Sequence, residues 1–251
     1  MAKQTGIIKL KGTIGDISFY KSGDGHLARA KGGIDGKRIA SDPAFQRTRE
    51  NGSEFGKAGK AGKLLRIAIR TLLQRAKDKR LVGRLTAALL KIIKTDTTNA
   101  RGLRTVQDGV VSMLKNFEFN INAKLASTLF ASYVSTFDRV SGDGKLNISK
   151  FIPTSAIVGP TGTTHYRISL CTAELDFENE TFTSEIDETG IVPYDSVETA
   201  NIEITTSTNA NSLLPIVQVV SIEFYQEVNG EMYPLKNGSY NAMAVTLAEK
   251  V

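Results

Sequence analysis

Apolar and polar positions along this chain change their rhythm twice. Up to about residue 41 they form short alternating runs, Ile7-Ile8-Lys9-Leu10-Lys11, Ile17-Ser18-Phe19-Tyr20 and His26-Leu27-Ala28-Arg29-Ala30. Gly12 to Gly15 and the turn Ser22-Gly23-Asp24-Gly25 separate them. A period of two with glycine turns predicts a hairpin or small meander, a β-arm over 1–41. Such a piece is too small to be stable alone and needs a surface to pack on, in its own chain or in a neighbour.

From Asp42 to about Asn116 the period becomes helical. Asp42 is a good N-cap and Pro43 occupies the favoured first helical position. The pattern then runs to about Lys79, with Gly52, Gly56, Gly59 and Gly62 spaced three and four residues apart. Each glycine costs a helix about 1 kcal/mol relative to alanine, so four of them either break it or form a stripe for close helix packing. Lys57, Lys60 and Lys63 make a basic ridge beside the stripe. Leu64 to Leu73 supplies a broad apolar face. A second helix is expected over Arg80–Lys94, with Leu81, Leu85, Ala88, Leu89 and Ile92 on one side, and a third near Thr105–Lys115.

From Phe117 onward strands return. Phe117–Ile121 alternates strictly, and further strands are expected at 129–134, 145–152, 166–170, 174–177, 181–186, 197–204, 216–225 and 242–247. Turns fall at Ser141-Gly142-Asp143-Gly144, Gly159-Pro160-Thr161-Gly162, Asn229-Gly230 and Asn237-Gly238. Asn-Gly is a strong hairpin signal. Short strands at this spacing predict an antiparallel sandwich or barrel. The fold class is therefore α+β in three regions: β-arm 1–41, basic helical region 42–116 and β-domain 117–251.

Charge sharpens this division. The net charge of +6 conceals 24 Lys and Arg against 8 Asp and Glu in residues 1–104, and 8 against 18 in residues 105–251. Halves of +16 and −10 are suited to different partners, or to each other. The longest apolar-rich stretch, Leu81–Ile93, contains Arg84 and Lys91, so no membrane span is expected. No apolar signal segment follows Met1, which predicts cytoplasmic synthesis and leaves the location of any assembled form open.

Enzyme chemistry finds little support. The only histidines are His26 and His165, neither at metal-ligand spacing from a second ligand. The lone Cys171 excludes an intrachain disulfide and is expected to be a buried small hydrophobe. There is no Gly-x-Ser-x-Gly elbow. Gly159–Gly162 lacks the lysine of a phosphate loop, and Asp138, Asp143 and Asn147 do not fit a calcium loop. No catalytic residue, cofactor, metal or small-molecule substrate is expected. A carbohydrate-binding role for the β-domain loops is disfavoured by the absence of tryptophan.

Two charged clusters remain. Sixteen Lys and Arg fall between Arg29 and Arg84, and Arg47, Arg49, Lys57, Lys60, Lys63, Arg66 and Arg70 are the candidates for assembly or polyanion contact. Glu174, Asp176, Glu178 and Glu180 alternate as if along one strand face, a candidate acidic partner face. In one reading the basic surface of one copy meets the acidic surface of the next. Such head-to-tail contacts close into rings or extend into filaments, and the arm adds to a neighbour's sheet edge. This describes a non-enzymatic, self-assembling subunit of a filament, tube or shell whose partners are copies of itself. The alternative is sequence-independent binding of nucleic acid phosphate. The plainest account is that the charges solubilise separate faces or pair within one molecule.

The segments Gly6-Ile7-Ile8-Lys9-Leu10-Lys11-Gly12-Thr13-Ile14-Gly15, Asp42-Pro43-Ala44-Phe45-Gln46-Arg47-Thr48-Arg49-Glu50-Asn51 and Glu223-Phe224-Tyr225-Gln226-Glu227-Val228-Asn229-Gly230 resemble an uncharacterised family of bacterial proteins of similar length. The resemblance spans the chain. It implies no activity and assigns no functional residue, but it suggests that arm, glycine helix and C-terminal strands belong together.

Overall fold

The computed structural model describes residues 1–30, 32–76 and 78–251, and within these all side chains except those of Lys236 and Asn237. Lys31 and Lys77 of the basic run lie outside the described residues. The chain is α+β and divides into two compact units, Met1–Arg49 and Glu50–Val251.

The first unit is built on four antiparallel strands, β1 (Ala2–Lys3), β2 (Gly12–Ile14), β3 (Ile17–Ser22) and β4 (Gly25–Ala30), in the order β1-β4-β3-β2. Ile14 pairs with Ile17 across a two-residue loop, and Gly15 there adopts φ +54°, a conformation glycine reaches without steric cost. Helix α1 (Gly36–Ser41) is capped by Asp35, which accepts from the Lys37 amide. Asp42 accepts from the Ala44 amide and starts a 3₁₀ turn, Pro43–Phe45. The expected strand at 7–11 does not form. The Gln4 side chain instead bonds Leu10 N and Leu27 O, at 2.8 and 3.0 Å, and the chain between bulges out as a loop.

Helix α2 spans Gln46–Ala68, continuous through all four glycines. It is followed by α3 (Arg70–Leu73) and α4 (Leu81–Ile93). Leu81, Leu85, Leu89, Ile92 and Ile93 of α4 pack with Ala58, Ala61, Leu64, Leu65 and Ala68 of α2 in one core. The expected third helix is absent: residues 105–110 are turns, and Val111–Leu114 is a 3₁₀ turn. Asp96 holds this stretch, accepting from Thr98 N, Asn99 N, Asn99 Nδ2 and Thr105 N at 2.8–3.0 Å. Gly109 then passes so close to α4 that a Cβ there would lie 2.4 Å from Ile92 O.

The β-domain has two antiparallel sheets. The smaller joins β5 (Tyr133–Asp138), β6 (Asp143–Ile148) and β10 (Ile202–Ser207), with β6 central. A short helix, α5 (Pro153–Ala156), follows β6. The larger is built on β7 (His165–Asp176) and β11 (Ile216–Val228). β8 (Thr181–Glu188) and β9 (Val192–Pro193) border β7, while β12 (Glu231–Pro234) and β13 (Ala242–Glu249) border β11. The β11–β12 hairpin turns on Asn229-Gly230, both at positive φ, as an Asn-Gly loop requires.

Both faces of the large sheet are covered. Cys171, Ala173, Leu175, Val217 and Val219 face the helices, while Tyr166, Ile168, Leu170, Val220, Ile222 and Phe224 face the small sheet. Two-sided burial explains the near-continuous apolar runs of β7 and β11. Regions 42–116 and 117–251, read separately in the sequence, thus share a core. The expected strands at 166–170 and 174–177 are halves of the single strand β7. The segment at 129–134 becomes strand only from Tyr133. Phe117–Ile121 makes only one bridge, Glu118 to Ala244, before the Asn120 side chain bonds Asn241 O and turns the chain away.

Candidate functional site

The basic residues singled out in the sequence fall into three settings. Arg47 and Arg49 belong to the first unit, where Arg49 Nη1 donates to Ile39 O and Asp42 O at 2.7 and 2.9 Å. Lys57 and Lys60 extend from α2 toward neighbouring loops. Lys57 Nζ donates to Leu103 O, and Lys60 Nζ lies 2.7 Å from Glu180 Oε1. With Thr105, Val106, Phe177 and Glu178 they line a cleft of about 300 Å³. Lys63, Arg66 and Arg70, with Ile67, Leu73 and Gln74, line a second cleft of about 500 Å³ that contains no carboxylate.

The acidic quartet does not share one strand face. β7 ends at Asp176, whose carboxylate accepts from Glu178 N, Asn179 N and Asn179 Nδ2 at 2.7–3.0 Å. These bonds hold the Asp176 carboxyl below its ordinary range and bend the chain into a turn. Glu178 and Glu180 sit on that turn, with Glu180 at φ +56°. The hydrogen bond from Lys60, then its charge, lowers the Glu180 carboxyl. Glu174 is buried and accepts from Asn209 N at 3.2 Å.

The glycine stripe also divides. A Cβ on Gly62 would lie 3.3 Å from Leu89 Cδ1, so this position does permit close packing of α2 on α4. Gly52, Gly56 and Gly59 meet nothing within 4 Å of such an atom. The expected close packing is confined to Gly62, because only that position of the stripe faces α4.

A buried charge cluster that sequence reasoning missed lies between the sheet and the end of the helical region. Arg167 Nη2 lies 3.0 Å from Glu223 Oε2, and its Nη1 2.8 Å from Glu188 Oε1. Arg75 Nη1 lies 3.2 Å from Glu223 Oε1, and Tyr225 Oη donates to Glu223 Oε2 at 2.8 Å. Burial works against the Arg167 charge, but Glu223 outweighs it and raises the guanidinium pKa. Two cations here meet two carboxylates. The group is a staple across β7, β8, β11 and the residues after α3, with no uncommitted acid or base for catalysis. Its only signal was Arg167 and Glu223, each set within a mostly apolar stretch, 166–171 and 216–225.

Part of the charge split therefore closes within one molecule, through Lys60–Glu180 and Arg75–Glu188–Glu223. The uncompensated part is the first unit. It holds 10 Lys and Arg against 4 Asp and Glu, a net +6 equal to that of the whole chain. It is also poorly covered. Among its described residues Leu27 is the single buried hydrophobic one, at 8% exposure, while Ile7 and Ile8 are 102% and 79% exposed and Ile14, Ile17 and Ile34 are exposed as well.

Among the described residues no helix is long and apolar enough to cross a membrane, and no group of three or more His, Cys, Asp or Glu is placed to hold a metal ion. No family model and no curated protein matches the chain. A solved chain described as "pH-induced modulation of Streptococcus parasanguinis adhesion by Fap1 fimbriae" is 12% identical, with 44% of this chain and 78% of that chain covered at a TM-score of 0.21. A likeness at that score carries no argument.

Proposed function

We propose that this chain is a non-enzymatic building block that assembles head to tail with copies of itself into a filament, tube or shell. The observation that carries this reading is the state of the first unit. A four-stranded sheet that buries one apolar side chain and exposes a run of isoleucines lacks a core of its own. Its net +6 suits a carboxylate-bearing surface, and the second unit exposes acids such as Asp187, Asp195 and Glu203. Opposite patches on different parts of one chain favour a heterologous contact. The resemblance to the bacterial family of similar length belongs to the same proposal.

Sedimentation velocity and negative-stain imaging of the purified chain, at low and high salt, test this. Assemblies that grow with concentration and weaken with salt are expected. Persistent monomers at high concentration in low salt would overturn the reading. The second unit has its own core, so deletion of residues 1–41 should abolish assembly while the circular dichroism of the β-domain persists.

A second reading is sequence-independent binding of nucleic acid. What favours it is the cleft of Lys63, Arg66 and Arg70, three cations with no carboxylate in the lining. Titration of a random-sequence duplex should then give an affinity that falls linearly on a log–log plot against salt. Absence of binding at low salt eliminates it.

A further inference from the structure

A third cleft, of about 500 Å³, opens beside β9, β10 and the loop between them. Tyr166, Val192, Ile202 and Ile204 give it an apolar floor, and Glu188, Asp195, Glu198 and Glu203 give it a carboxylate rim with no cation in the lining. Two of the four acids are already engaged: Glu188 by Arg167 and Arg75, and Glu198 by Lys150 at 3.3 Å. The Asp195 carboxylate accepts the amide of Val197 at 3.0 Å, and among the described residues neither Asp195 nor Glu203 has an ion-pair partner. Two negative charges are therefore left over beside apolar surface.

The floor has an unusual feature. Tyr166 is wholly buried, yet its hydroxyl finds no hydrogen-bond partner among the described residues. Burial, then the negative charge of Asp195, pushes that hydroxyl up to about 12. The Tyr166 ring itself lines the cleft. A buried, unpartnered hydroxyl is costly, and the cost is relieved when a ligand supplies a polar partner.

The chain itself carries a segment of matching chemistry. Between Gln4 and Gly12 the loop of the first unit presents Ile7 and Ile8, almost fully exposed, followed by Lys9, Leu10 and Lys11. Lys9 Nζ donates to Gln4 O, and Lys11 adds a second ammonium. Two large aliphatic side chains beside two cations complement an apolar floor beside two uncompensated carboxylates.

We infer that this cleft is the receptor for the Ile7–Lys11 loop of a second copy of the chain. The inference rests on the self-assembly reading and gives it a specific joint. The apolar side chains enter the cleft, and the lysines sit at its rim opposite Asp195 and Glu203. Such a joint is head to tail, since loop and cleft lie on different units of the chain.

The test uses the full-length chain. Isotope-labelled and unlabelled copies are mixed, allowed to assemble, coupled with a zero-length carbodiimide and mapped by mass spectrometry. Cross-links from Lys9 or Lys11 to Asp195 or Glu203 are expected in mixed-isotope pairs. Assembled material whose Lys9 and Lys11 couple elsewhere, or only within one copy, overturns the inference and leaves self-assembly standing. A chain that never assembles overturns both. As a second arm, Glu203→Lys on the exposed rim should raise the concentration needed for assembly about tenfold or more. Mixing with a Lys9→Glu/Lys11→Glu chain should restore it. Unchanged assembly by Glu203→Lys argues against the joint.

Discussion

Arg167 and Glu223 stand opposite each other in the β7–β11 ladder, joined at 3.0 Å with side chains only 12% and 5% exposed. Burial of this kind makes the pair asymmetric in its consequences. Removing Glu223 leaves Arg167 and Arg75 to share the single carboxylate of Glu188, whereas removing Arg167 and Glu223 together leaves one balanced pair, Arg75 and Glu188. Glu223→Ala should therefore lower stability by about 3 kcal/mol. Arg167→Met/Glu223→Leu should recover most of that loss. Urea midpoints of the three chains check this; a double variant no more stable than Glu223→Ala would show that the pair is not coupled.

Acid should weaken the loop after α4. Burial raises the Asp96 carboxyl, but bonds from Asn99, Thr105 and Thr98 outweigh it and hold the group at about 2, against 3.8 in an unfolded chain. The folded state thus binds this proton more weakly. Its contribution, on the order of 2 kcal/mol, is complete above about pH 5 and is lost as the pH falls through 4 toward 2. Asp96→Asn should flatten this part of the stability curve. An unchanged slope between pH 5 and 2 would refute the assignment.

Gly52→Ala, Gly56→Ala and Gly59→Ala should each stabilise the monomeric chain by about 0.5–1 kcal/mol, since alanine favours the helix and the space beside each is open. Gly62→Ala should give less, because Leu89 must yield. Thermal unfolding of dilute chain provides the comparison. A loss of stability at the first three positions would mean that something covers them.

Lys60→Met should leave monomer stability essentially unchanged, because exposed ion pairs contribute little. A denaturant titration at two salt concentrations measures it. A clear, salt-sensitive loss would show that Lys60 and Glu180 act within a wider network.

Local signals in the sequence were readable where one short stretch decides its own conformation. Asn229-Gly230 formed its hairpin, Leu81, Leu85, Leu89 and Ile92 marked α4, and the Ser22–Gly25 turn joined β3 to β4. Distant contacts were not readable. The alternation of Phe117–Ile121 is that of a strand, but Asn120 finds acceptors more than a hundred residues away. Likewise Glu174, Asp176, Glu178 and Glu180 obey strand spacing, and a single Asp176 side chain bonding two amides ahead overrides it. Lysine and arginine density marked the helical region as a surface of interest. It did not distinguish Arg49, spent on backbone carbonyls, from Lys63, Arg66 and Arg70, which share a cleft. The Arg167–Glu223 contact depends on a register set between strands 56 residues apart, which no local pattern encodes.

The unfinished strand at 116–119 has one more effect. Asn116 N and Phe119 N donate to Val245 O and Met243 O, each at 2.8 Å, and Val245 N donates back to Phe117 O. The outer flank of β13 is thereby engaged over residues 243–245. β12, beside it, is four residues long and ends in Pro234, which has no amide proton to offer. On the opposite flank β8 runs eight residues with no strand laddered outside it among the described residues. The two flanks of this sheet are thus unlike: the backbone of β13 and β12 is engaged or short, while that of β8 runs unladdered, which makes an otherwise two-faced layer lopsided in its plane.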